Sequence, residues 1–122
     1  MIVPGKPELP CAEDRKFREG LDAELSKLIL RQGRVYAGFG WPVVTAASYL
    51  RFFNYGNGTK NETLQFERRK ALNALALAEC VEHSGAFTAD IINGIWAICE
   101  ESSWSVAAHL QYGASSVPLP DV

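Results

Sequence analysis

Residues 61–83 read NETLQFERRKALNALALAECVEH, and this stretch decides the fold. Leu64, Ala71, Leu72, Leu75, Ala78 and Val81 recur at helical spacing and form one apolar stripe, which Ala74, Ala76 and Leu77 widen. The first half of the stretch is charged, the second half nearly all small or apolar, and Ser84-Gly85 closes the helix. Residues 87–101, FTADIINGIWAICEE, predict a second helix, with Thr88 placed to cap its start. Phe87, Ile91, Ile95 and Ile98 form one ridge on it, and Ile92, Trp96 and Cys99 a second. Asp90, Asn93, Ala97, Glu100 and Glu101 share the strip that remains. Two such helices joined by a short turn are expected to form an antiparallel hairpin, with Leu72, Leu75 and Ala78 against Ile91, Ile95 and Ile98. A helix apolar over most of its girth needs cover on two sides.

Working outward, Phe17, Leu21, Leu25, Leu28 and Ile29 predict a helix over about 12–32, with Gly33 as its stop. Residues 33–41 read as a loop, and Pro42 suits the first turn of a helix over 42–54. Val44, Ala47, Leu50 and Phe53 supply its apolar face, and the Gly/Asn-rich run that follows ends it. No segment alternates as a strand. The expected architecture is all-α, in antiparallel helical hairpins with short connections. Residues 1–10 read as an extended leader, 11–110 as the folded unit and 111–122 as a loop or truncated tail. The fourth helix finds few partners after it, which suggests a larger protein of which this is the amino-terminal part.

The chain of 122 residues supports one small domain, and a formal net charge of -2 with no dominant basic patch argues against nucleic acid as a partner. The densest basic run, Arg68-Arg69-Lys70, reads as a solvated helix face. Three cysteines, Cys11, Cys80 and Cys99, do not make a disulfide framework, and core packing is the expected role of the last two. Metal-ligand spacing is lacking, so neither a metal nor another cofactor is expected. No run is long and apolar enough to span a membrane. Residues 1–10 do not form a signal peptide, which points to the cytoplasm, or to the periplasm or secretion if the true start lies upstream.

The run Asp90-Ile91-Ile92-Asn93-Gly94-Ile95-Trp96-Ala97-Ile98-Cys99-Glu100-Glu101-Ser102-Ser103-Trp104, followed by Ala108-His109, resembles a helix and loop near the start of heparinase II/III-like polysaccharide lyases. The stretch 69–80, RKALNALALAEC, and Tyr49-Leu50-Arg51-Phe52-Phe53 with Gly56-Asn57 and Glu62 resemble the same family, so the likeness covers about 45–110. Departures from the family pattern include Gly58 in place of Arg, Asn61 in place of Tyr and Ala107 in place of Pro. The resemblance implies part of an incomplete α/α toroid, built of hairpins around a cleft and followed in the family by a β-sandwich. It also implies β-elimination on uronate-containing polysaccharide, with an acidic polysaccharide or oligosaccharide as the partner of the full-length protein.

Elimination at a uronate requires neutralising the carboxylate, removing the C5 proton and protonating the leaving oxygen. The candidates for catalysis are Glu101, His109 and Tyr112, and those for substrate binding are Asn93, Glu100 and Trp104. Each has a plainer reading: paired glutamates at a helix end face solvent, and a loop histidine is usually without chemistry. Trp96 belongs with the core, while Trp104 suits either a core or a sugar-stacking face. Two further functions stay open, a hydrolase on another α/α barrel and a non-enzymatic helical interaction module. The chain by itself is expected to be marginally stable and to self-associate, because only one ridge of the fourth helix finds cover and that of Ile92, Trp96 and Cys99 is left exposed.

Overall fold

The computed structural model describes residues 11–55 and 59–104, and at 52–54 the backbone alone. The expected leader at 1–10 and tail at 111–122 lie outside the described residues. The chain is all-α: helices α1 (Arg15–Glu19), α2 (Ala23–Tyr36), α3 (Ala46–Tyr55), α4 (Thr59–Glu82) and α5 (Thr88–Cys99), with no strand among the described residues.

The single helix expected at 12–32 is two helices. Gly20 weakens the helical continuation, and the Asp22 carboxylate accepts the amides of Glu24 and Leu25 at 3.0 Å, starting α2 afresh. Gly33 is not the stop; α2 runs through it to Tyr36. Gly33 is where α2 meets α4: a Cβ added there would lie 2.2 Å from Ala78 Cβ. α2 is antiparallel to α4, so Tyr36 donates to Glu67 while Arg15, ahead of α2, donates to the carbonyls of Cys80 and Val81 at 3.1 and 3.0 Å. That guanidinium satisfies carbonyls left open at the end of α4.

The core is Tyr36, Ala71, Leu75, Ala78 and Phe87, with Ile29, Leu30, Phe39, Trp41, Ala74 and Ile91 packed around it. Alanines on α4 and the glycine on α2 let the helices approach closely, and Leu75 fills the centre with no exposed surface.

Pro42 does not start α3. The segment between α2 and α3 meets α5 through two residues instead: Trp41 takes φ +42° and lays its indole against Gly94, and the Gly38 amide donates to Asp90 at 2.9 Å. Phe39 stands edge-on to both Tyr36 and Trp41. α3 begins four residues later, at Ala46, where Thr45 Oγ1 accepts the Ser48 amide.

The α4–α5 hairpin forms as expected, and both segments are helical. His83 and Gly85 take positive φ in the turn. Thr88 does not cap α5; the Glu79 carboxylate accepts the Gly85 and Phe87 amides at 2.6 and 3.0 Å. The buried side of α5 is Phe87 and Gly94, with Ile91 half-buried beside the core. Ile95, expected in that contact, is exposed.

Candidate functional site

On α4, Asn61, Gln65 and Arg68 fall at i, i+4 and i+7 and therefore share a face, and all three are buried. This face meets the first turn of α3 and the residues that leave α5. Asn61 donates to Ser48 Oγ at 3.4 Å, and Gln65 donates to the Ser103 carbonyl at 3.4 Å. Arg68 donates to the Ala97 carbonyl and lies 3.1 Å from Glu101 Oε1. Arg69 approaches the same carboxylate with both terminal nitrogens, at 3.2 and 2.7 Å. The Glu101 side chain is 2% exposed and that of Arg68 is 6%. Burial of a carboxylate on this scale is tolerable only with charge-assisted bonds, and two guanidinium groups supply them. Burial pushes the Tyr49 hydroxyl above its ordinary value of 10.0, against a hydrogen bond with Ser103 that pulls it down.

The basic run expected on a solvated face is thus divided. Arg68 is buried and Arg69 half-buried, both on Glu101, and only Lys70 stays outside, beside Glu67. An Asn61–Gln65–Arg68 stripe is legible at helical spacing, but polar stripes ordinarily face water. The carboxylate that pulls this one inward comes from 33 positions beyond Arg68.

Of the expected site residues, Glu101 is held in this clamp just beyond α5. Asn93 and Glu100 are exposed. Trp104 is exposed too, with its Nε1 donating to the Ile98 carbonyl at 3.0 Å. His109 and Tyr112 lie outside the described residues. A cavity of about 540 Å³ opens between α3 and α4, and one of about 270 Å³ between α2 and α4; none of Asn93, Glu100, Glu101 or Trp104 lines either.

Trp96, expected in the core, is 68% exposed, and Ile92 beside it 58%. Cys99 is exposed as well, and Cys80 is half-buried. The reason is geometric: α4 and Trp41 cover one side of α5, and the opposite ridge is left exposed. The described residues include no cluster suited to a metal ion and no helix long and apolar enough to cross a membrane. No known family model matches this chain, and no curated protein matches it either.

Proposed function

We propose that the chain is the amino-terminal helical part of a heparinase II/III-like polysaccharide lyase, acting by β-elimination on uronate-containing polysaccharide and inactive by itself. The observation that carries the reading is the bare apolar ridge of α5, formed by Ile92, Ile95, Trp96 and Cys99. This ridge lies within the segment that resembles the family, and a helix of a toroid is flanked on both sides by others. The clamp adds to it. With Arg68 and Arg69 on its carboxylate, Glu101 positions the chain leaving α5 and is poorly placed to move a proton. Glu100 and Trp104, held at the surface by that turn, are then free to face a saccharide.

The same ridge favours a second reading, a helical interaction module without chemistry. Translating the coding sequence downstream of Val122 and assaying the product discriminates between them. The longer polypeptide is expected to release unsaturated uronate, read by ultraviolet absorbance, from a heparan-, chondroitin- or alginate-type polymer, while the 122-residue chain releases none. New reducing ends without the unsaturated product would indicate a hydrolase instead, and product from the 122-residue chain alone would overturn the reading of it as a part.

A further inference from the structure

We propose that the groove between α3 and α4 is a subsite for one carboxylated sugar ring. It encloses about 540 Å³, within the range of small-molecule clefts. Arg51 on α3 and Lys60 on α4 bring two positive charges to it from separate helices. Elsewhere on α4 the cations Arg68, Arg69 and Lys70 are each matched by a carboxylate. Among the described residues, Arg51 and Lys60 are in no ion pair, so their charge is available to an outside anion.

Hydroxyl groups add direction. Ser48 uses its hydroxyl hydrogen on the Thr45 carbonyl, and Thr45 Oγ1 accepts the Ser48 amide. Thr45 therefore keeps its own hydrogen for a ligand oxygen. Tyr55 and Leu64 supply apolar surface in the same groove. A bare oxyanion would engage the two cations and leave this apolar surface unused. A pyranose acid uses both, with its carboxylate on Arg51 and Lys60 and its ring against Tyr55. The choice of uronate among such acids rests on the lyase reading. The groove is open and its cations are exposed, so millimolar affinity that falls with added salt is expected.

The test is a titration of the ¹⁵N-labelled chain with glucuronate, with glucose as the neutral ring and sulfate as the bare anion. Saturable shifts are expected from glucuronate at the amides of 45–51 and 60–64, with weaker shifts from sulfate and none from glucose. Arg51→Gln and Lys60→Gln should each weaken binding about fivefold, while Arg51→Lys, which keeps the charge, stays within about twofold. Circular dichroism checks that each variant folds; should one Gln variant fail to fold, the other carries the comparison. Absent saturation, equal shifts from glucose or sulfate, or unchanged affinity in a folded Gln variant would each overturn the subsite. A longer polypeptide with lyase activity whose groove ignores glucuronate removes the subsite and leaves the lyase reading. Saturable binding here, with no unsaturated product from the longer polypeptide, does the reverse.

Discussion

At the scale of single residues, Gly33 governs how closely the two main helices approach. A glycine inside a helix costs about 1 kcal/mol relative to alanine, so propensity alone would favour Gly33→Ala. The close approach to Ala78 reverses that expectation, because a Cβ at position 33 would overlap another Cβ borne directly on backbone, and neither can rotate away. Gly33→Ala is expected to destabilise the chain by about 2 kcal/mol, measured as a lower urea midpoint at unchanged slope. Ala78→Gly in the same chain should restore part of the loss. A neutral Gly33→Ala, or a double variant no better than the single, would mean that the helices do not meet here. Gly33 illustrates the limit of local reading: a glycine after a run of apolar residues signals a helix end, and only the presence of α4 makes it a contact point.

At the scale of elements, the Arg68–Arg69–Glu101 clamp ties the far end of α5 to the middle of α4. It is expected to act as a structural cross-link, since removing the carboxylate leaves a nearly buried guanidinium without its counter-charge. Glu101→Ala should cost about 3 kcal/mol in chemical denaturation, whereas Glu100→Ala, at an exposed neighbour, should stay within about 0.5 kcal/mol. Equal effects from the two substitutions would remove the clamp from the account of stability. The α4 and α5 helices are legible from periodicity, α4 to within two residues, while α1 and α2 read as one helix because the break at Gly20 interrupts no apolar stripe. The pairing is not legible, because Glu100 and Glu101 are chemically identical neighbours. Which one turns inward depends on the backbone leaving the helix at Glu100.

At the scale of the whole molecule, the exposed ridge of α5 sets the behaviour of the chain in solution. On the proposed reading, Ile92, Ile95, Trp96 and Cys99 belong against a further helix of the longer protein. In the isolated chain they present on the order of a few hundred Å² of apolar surface. At ~25 cal/mol per Å², leaving such an area uncovered forfeits several kcal/mol, comparable with the stability of a small domain. Concentration-dependent association is therefore expected in analytical ultracentrifugation, and Trp96→Lys should abolish it while leaving the helical content intact. A single monomeric species up to high concentration would show that the ridge needs no cover.

Local physics written into the chain determined the helical class and the α4–α5 hairpin, whereas Ile95, which periodicity places with Phe87 and Ile91, lies on the exposed side with Ile92 and Trp96. Helical periodicity and the Ser84-Gly85 turn act over a few residues, so they survive in any context. Tertiary structure alone decided which ridge is covered, that Gly33 and Gly94 are packing sites, that Trp41 closes over α5, and that Arg68 and Glu101 are buried together. Each of these depends on residues far apart in sequence meeting across a helix interface. Burial of a charge or omission of a side chain becomes favourable only when the partner arrives, and no local pattern names that partner.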